Sequence, residues 1–473
     1  MIKFFGNKKS PKINIFEKFK WISLVDDLKI NLARQGFNHR KKQINNVYEF
    51  FKKDEGKQLI QELHEKLVKS GLPESSVNIE LELLLEIFAP DTINDIFYNP
   101  SNGLDKHLKH NQFSDAVSIN NNYGFVRVPK GLVFIIGSAN TILPVFTSLV
   151  LSYICGNINV IQLSSDNSEI LQSFFCKLPF QCKDYVYFTN LKYIDNSDNE
   201  CLKNILREVP WDVVNIWGGE EANFYYYKYL AENKNRPTVL SMEPLTGIVI
   251  IQNKYLINNK NKVVIELSKS IREMGQQLCS SPTEAYILDD GEVNYKEDFF
   301  NNLIHNLEND FEQYNDLESN YIKLDRMLSH ASDKGSEIFK SKQYGNKIVL
   351  IKSYNSSVFS SIAPYSSLSV HERRNFLEFI IVKTLEEIVN LIKGISQKET
   401  HKSIKKIQTI LVFGDDIFVK QIISLAKLVG AYRIIDHNYV FRRHTLEALD
   451  GKHLVSEFTY PLSILGSIAS SLE

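Results

Sequence analysis

This sequence lacks an excess of either charge: 55 Lys and Arg stand against 56 Asp and Glu over 473 residues, a net charge of −1. Without a basic or acidic field, nucleic acid and anionic membrane surfaces are not expected partners, and any phosphate recognition must be local. Cysteine is also scarce. The five present, Cys155, Cys176, Cys182, Cys201 and Cys279, are too few for a disulfide scaffold and form no Cys-x-x-Cys pair. That excludes dithiol redox motifs and fits a reducing, cytoplasmic compartment. No His-Glu-x-x-His, His/Cys cluster or EF-hand spacing is present, so no metal is expected. Internal repeats and low-complexity tracts are lacking too. The start, Lys3 to Lys20, is basic but has no apolar core of a secretory signal. One uncharged run, Gly131 to Gly156, is long enough to cross a bilayer. Gly137, Asn140 and Pro144 interrupt it, and Leu132 to Ile136 reads as a buried strand, so strand, turn and helix is the better parse and no membrane span is expected.

What is there is an ordinary globular composition, 43% apolar and 23% charged, on a chain long enough for about three domains or two large ones. Residues 16 to 95 carry helical apolar spacing, and Pro100 to Asn122 reads as a loop. From about Val126 short β-branched runs alternate with helical stretches. Strands are expected at 132–136, 160–163, 185–188, 213–217 and 239–242, with helices at 141–155, 168–178, 201–209 and 220–232. A second series has strands at 248–251, 286–288, 348–351 and 410–413, and helices at 260–277, 297–313, 372–392 and 416–429. Such alternation predicts parallel sheets wrapped by helices, with ligands outside the carboxyl ends of the strands.

The chemistry concentrates in the window Arg272 to Pro282, where a helix-like run ends in Gly275-Gln276-Gln277-Leu278-Cys279-Ser280-Ser281-Pro282. Cys279 stands among small and polar residues directly before a strand, a setting in which a thiol is reachable. Cys155, Cys176 and Cys201 lie instead among apolar residues of expected helices, where cysteine acts as a small hydrophobe. Trp217, Gly218 and Gly219 end a strand ahead of a helix; a Gly-Gly pair there is usually a tight turn, but it also leaves a helix N-terminus open to phosphate. Asn140, between strand and helix, is by itself a turn-former or N-cap. His437 and His444, near the C-terminus, are by themselves structural or solvated.

Four segments in order, 129–140, 159–165, 212–219 and 276–282, resemble the LuxC-type acyl-CoA reductases, a branch of the aldehyde dehydrogenase superfamily; Leu449 to Leu454 is a fifth, weaker match. The resemblance covers roughly Tyr123 to Phe458. It implies an α/β, aldehyde dehydrogenase-like fold, with two Rossmann-like domains facing a cleft and a helical N-terminal region. The expected divisions are 1–122, helical; 123–247, NAD(P)-binding; 248–435, catalytic; and 436–473, a C-terminal segment returning to the cofactor domain or an oligomer interface. It also implies Cys279 as the nucleophile and Asn140 as an oxyanion donor. Gly137, Ser138, Gln162, Ser164, Ser165, Trp217, Gly218 and Gly219 are the implied cofactor contacts. Gln162 replaces the lysine usual in the superfamily, so NADPH is expected from the resemblance alone and NADH stays open. Glu243 is the candidate general base, although simple alignment puts Ser241 there. The implied reaction is reduction of a fatty acyl thioester, on CoA or protein, to the aldehyde. Rivals are an oxidative aldehyde dehydrogenase and an inactive binding or scaffold relative. An acyl-activating synthetase or acyl-carrier partner and a homo-oligomer are further implications.

Overall fold

The computed structural model describes residues 3–4, 18–98, 117–120, 123–138, 141–163, 168–179, 185–189, 196–242, 245–276, 278–289, 298–309, 311, 318–358, 374–397, 407–443, 447 and 449–465. The chain divides into two compact units. One comprises Met1–Ser70, Val77–Glu243 and His444–Glu473, the other Gly71–Ser76 and Pro244–Arg443.

The N-terminal region is helical, as the apolar spacing predicts: α1 (Lys18–Lys52), α2 (Asp54–Lys69), α3 (Glu74–Phe88) and α4 (Pro90–Tyr98) follow one another. Gly36, at φ 69°, breaks α1. In α2, Leu59, Leu63 and Leu67 recur at i, i+4 and i+8 and are all buried, the stripe a surface helix turns inward. Helix α1 is tied to the first unit through Lys29, paired with Asp212 at 2.9 Å, and through buried Arg40, which donates to the Ile154 carbonyl at 2.9 Å.

The first sheet is built from β1 (Lys3–Phe4), β4 (Leu132–Ile136), β5 (Ile158–Gln162), β6 (Val186–Thr189), β7 (Val213–Trp217) and β8 (Thr238–Met242), in the order β1-β6-β5-β4-β7-β8. All pairs from β6 to β8 are parallel. Helices α5 (Leu143–Cys155), α6 (Ser168–Lys177), α7 (Asn196–Glu208) and α8 (Glu220–Leu230) connect them. Every residue of β4 and β5 is buried, which explains continuous apolar runs in place of alternation: a parallel strand covered on both faces has no wet side. Outside this sheet lie three further strands that have no counterpart in the sequence reading. β2 (Val117–Asn120) lies inside the stretch read as a loop, and with β3 (Tyr123–Pro129) and β16 (Thr459–Leu465) it forms a small antiparallel sheet. Register runs from Thr459 opposite Pro129 to Leu465 opposite Tyr123.

The second sheet has β9 (Thr246–Gln252), β10 (Pro282–Leu288), β11 (Glu337–Ser341), β12 (Gly345–Tyr354), β13 (Phe376–Val382), β14 (Ile407–Phe413) and β15 (Arg433–Ile435), ordered β11-β12-β13-β10-β9-β14-β15. Only β11 runs antiparallel to its neighbour. Alternate residues feed two cores. Val249, Ile251, Ala285 and Ile287 pack with residues of α10 (Lys260–Arg272) and α11 (Asp298–Asn309). Ile248, Ile250 and Tyr286 pack with helices Leu385–Gln397 and Asp416–Val429. The expected helix at 372–392 is wrong in its first half, because Phe376–Val382 is a central strand, buried throughout. Glu378 interrupts that apolar run and lends it a helical look; β-branched Ile380, Ile381 and Val382 and burial on both faces decide for strand.

Candidate active site

At the carboxyl edge of the first sheet, backbone and side chains form a connected set. The Gly137 N–H donates to the Gln162 carbonyl at 2.8 Å, and a Cβ at Gly137 would strike Val145 Cγ2 at 2.6 Å. Packing of α5 on β4 therefore requires that glycine. Ser138 Oγ donates to the Thr141 carbonyl at 3.1 Å. The Gln162 amide is buried and donates to the Tyr226 hydroxyl at 2.9 Å, which ties the end of β5 to α8. Half-buried Trp217 donates through Nε1 to Ser148 Oγ at 2.9 Å, and Asn215 donates to the same oxygen at 2.8 Å.

Gly219, exposed, caps α8 at φ −64°, ψ 176°, and a Cβ there would meet nothing within 4 Å. Asn223, one turn into α8, donates to the carbonyls of Gly218 at 2.7 Å and Gly219 at 3.1 Å and accepts from Ser241 Oγ at 2.6 Å. The Ser241 carbonyl in turn accepts from the Lys452 ammonium. Lys452 belongs to a tight turn at Asp450 and Gly451, φ 50° and 77°, closed by paired Leu449 and Lys452 backbone bonds of 2.9 Å. The weak C-terminal motif thus docks on the end of β8. Sequence reasoning missed Ser148 and Asn223; each stands on a helix that carries other polar residues, so nothing local singles it out. The N-terminus of α8, beside two glycines, has no side-chain cap but opens with Glu220 and Glu221; its backbone N–H groups suit a phosphate, and two acidic residues at that end oppose one.

From below, α3 contributes Glu80, whose carboxylate accepts from the Ile142 N–H at 3.4 Å at the start of α5. Burial pushes this carboxyl up to about 7. Asn140, Ser164, Ser165 and Glu243 lie outside the described residues, as does His444. His437 pairs with Glu266 at 3.0 Å in the second unit.

In the second unit α10 ends at Arg272, short of the expected 277, and residues 273–276 form a tight turn in which Met274, Gly275 and Gln276 have φ of 55°, 57° and 59°. Cys279 follows, half-buried, in a turn closed by the Ser281 N–H donating to the Leu278 carbonyl at 3.0 Å. Chain order puts Cys279 after the carboxyl end of a helix, which offers a thiolate no positive dipole. The other thiols differ. Cys155 is fully buried and burial pushes it well up. Cys201 is half-buried on α7, and Cys176 is exposed, against the expectation of a packed hydrophobe. Cys182 lies outside the described residues.

Beyond the cysteine, β10 and β13 set two carboxylates side by side, Glu284 opposite Glu378, both buried. Glu378 accepts from Ser353 Oγ at 2.7 Å, Ser357 Oγ at 2.9 Å and the Val358 N–H at 2.7 Å. Ser357 Oγ also lies 3.1 Å from Glu284, so its single proton is shared between the two carboxylates, and Glu284 accepts from Tyr286 Oη at 2.9 Å. Burial and the neighbouring Glu284 push Glu378 up to about 7.

A model of the acyl-CoA reductase (LuxC) family matches residues 42–460. The chain belongs to the LuxC acyl-CoA reductase family. Members act as oxidoreductases on acyl or aldehyde groups, and the fold agrees. This LuxC-family chain is 13% identical to a glyceraldehyde-3-phosphate dehydrogenase from Methanocaldococcus jannaschii solved with NADP, with a TM-score of 0.65 over 97% of this chain and 96% of that one. It is 12% identical to aldehyde dehydrogenase 21 from Physcomitrella patens, solved with succinate, with a TM-score of 0.66 over 96% and 91%. An NAD-dependent benzaldehyde dehydrogenase from Corynebacterium glutamicum gives 13%, 0.63, 93% and 88%. At these identities the likeness shows the aldehyde dehydrogenase-like fold. Among curated proteins none matches the sequence. Among the described residues no group of His, Cys, Asp and Glu is placed to hold a metal ion, and no helix is long and apolar enough to cross a membrane.

Proposed function

We propose that this LuxC-family chain reduces a fatty acyl thioester, carried on CoA or on protein, to the aldehyde through a Cys279 acyl-enzyme, with NADPH as the reductant. The observation that carries the reading is the family match spanning 42–460 around a half-buried thiol in a backbone-rich turn. Attack by the Cys279 thiolate on the thioester carbonyl gives a tetrahedral oxyanion. The Cys279 N–H and the Asn140 amide are assigned to it, and one such donor is worth about 10²–10³ in rate. Collapse expels the thiol carrier and leaves the acyl group on Cys279. Gly137, Ser138, Gln162, Ser164, Ser165, Trp217, Gly218 and Gly219 are assigned to the dinucleotide. When bound, it supplies the hydride that the acyl carbon takes up. Cys279 then holds the alkoxide of a thiohemiacetal, whose collapse releases aldehyde and returns the Cys279 thiolate, while a solvent proton goes to the departed carrier thiolate. Reduction needs no base to activate water, so Glu243 has no required step in this direction.

The NADPH preference rests on the family resemblance, since Gln162 brings no charge to a 2′-phosphate. A cytoplasmic homo-oligomer supplied by an acyl-activating synthetase or acyl carrier, with domains divided near 122, 247 and 435, completes the reading. The test is Cys279→Ala: both acyl labelling from a radiolabelled acyl-CoA and thioester-dependent NADPH oxidation are expected to vanish. Retention of either removes Cys279 as nucleophile.

A further inference from the structure

The turn carrying Cys279 is reached through three successive left-handed residues, Met274, Gly275 and Gln276. For Met and Gln that conformation costs roughly 1–2 kcal/mol each, so surrounding structure must hold it. The Gln276 side chain is wholly buried. Its Nε2 donates to the Pro282 carbonyl at 2.8 Å and the Phe376 carbonyl at 2.6 Å, and its Oε1 accepts from the Phe376 N–H at 3.1 Å. Arg374 adds a bond to the Gly275 carbonyl at 3.3 Å. Pro282 opens β10 and Phe376 opens β13, so one amide ties Gln276 to the first residues of two neighbouring strands at the amino edge of the sheet. The opposite side is closed as tightly. A Cβ on Gly247 would lie 2.5 Å from the Ser280 carbonyl oxygen and 2.7 Å from that of Ser281, while the hydroxyls of Thr246 and Thr283 meet at 2.7 Å.

We infer that Gln276 is a positioning residue for the Cys279 thiol: its amide, bonded to the starts of two strands, sets the turn in which the sulfur reacts. The inference rests on the reading of Cys279 as nucleophile. Only an amide supplies two donors and an acceptor at once. Gln276→Glu turns an acceptor toward two carbonyls, and Gln276→Met keeps the bulk while removing all three bonds.

The experiment measures, on full-length protein, the alkylation rate of Cys279 by iodoacetamide against pH, read by peptide mass spectrometry. It pairs this with single-turnover acylation by an acyl-CoA, and Gln276→Glu, Gln276→Met and Arg374→Ala are compared with wild type. For both Gln276 variants, alkylation is expected to slow at least tenfold at neutral pH with its pH profile displaced upward, and acylation to slow in parallel. Arg374→Ala is expected to shift both by about threefold; with a half-buried side chain, it keeps the question open to refutation if the Gln276 variants do not fold. Rates and profiles within twofold of wild type in every folded variant overturn the inference. If wild type is never acylated at Cys279, the nucleophile reading fails instead, and the alkylation profiles still decide whether Gln276 positions the thiol.

Discussion

The two sheets carry their assigned residues on opposite edges. In the first, the assigned residues follow their strands, at the carboxyl ends of β4, β5 and β7. In the second, Cys279 precedes its strand, and its supports, Gly247, Pro282 and Phe376, all stand at the amino edge. The two edges are also built differently. Gly219 faces open space on ordinary backbone, whereas Gly247 is pressed against the Ser280 and Ser281 carbonyls and the approach to Cys279 is left-handed. An edge that receives a dinucleotide needs exposed N–H groups and room. An edge assigned to covalent attack needs one atom held in place, and strained backbone persists where the surroundings over-determine it.

The same substitution at the two glycines tests the difference between the edges most directly. Gly247→Ala forces a methyl against backbone oxygens, so the second unit is expected to lose roughly 1–3 kcal/mol. Acylation at Cys279 is expected to fall about a hundredfold, since a 1 Å misplacement costs on that order. Normal acylation with normal thermal unfolding would show that the turn is not constrained from this side.

Next in size is a pH effect confined to the second unit. Glu378 is held up to about 7 against its ordinary 4.5 by burial and by Glu284, so the folded chain binds the extra proton between those values. Its stabilising contribution is full below about 4.5 and is lost as pH rises toward and through 7. Glu378→Gln fixes the neutral form among Ser353, Ser357, Glu284 and Tyr286. Unfolding midpoints compared at pH 5 and pH 8 are expected to show a flatter dependence in this variant. An unchanged slope would assign the pH dependence to other groups.

At the first edge the effects are smaller. Asn223→Ala removes two bonds to the Gly218 and Gly219 carbonyls and one from Ser241, an expected loss of about 1–2 kcal/mol. NADPH affinity, followed by fluorescence titration, is expected to drop while Cys279 alkylation stays at its wild-type rate. A cycle with Ser241→Ala measures the coupling; strict additivity would mean that the two side chains act independently. Smallest in stability is Gly219→Ala, under about 1 kcal/mol because the backbone suits alanine and only cap preference is lost. Here NADPH binding is expected to weaken several-fold, and unchanged affinity would remove Gly219 from the cofactor surface.

Much of this was legible in the chain. Buried parallel strands such as Leu132–Ile136 and Val213–Trp217 were read with their observed limits, because two-sided burial writes continuous apolar runs that Gly and polar residues punctuate. Cys279 stood out because small and polar neighbours are local. The helix read over 372–392 failed because one Glu in an apolar run suits either period. It was legible that Gln276 stands near the cysteine, but not that it clamps the turn: Phe376 lies 100 residues away.

The alternation of strands and helices, the helical start and the family motifs all arise from side chains a few residues apart, and so are set locally along the chain. Tertiary structure alone decided that Phe376–Val382 is a central strand, that Glu284 and Glu378 share one buried site, and that Gly247 and Gln276 grip the Cys279 turn from two sides. Those facts depend on which strands become neighbours, and that choice is set by packing across the whole unit rather than by any local pattern.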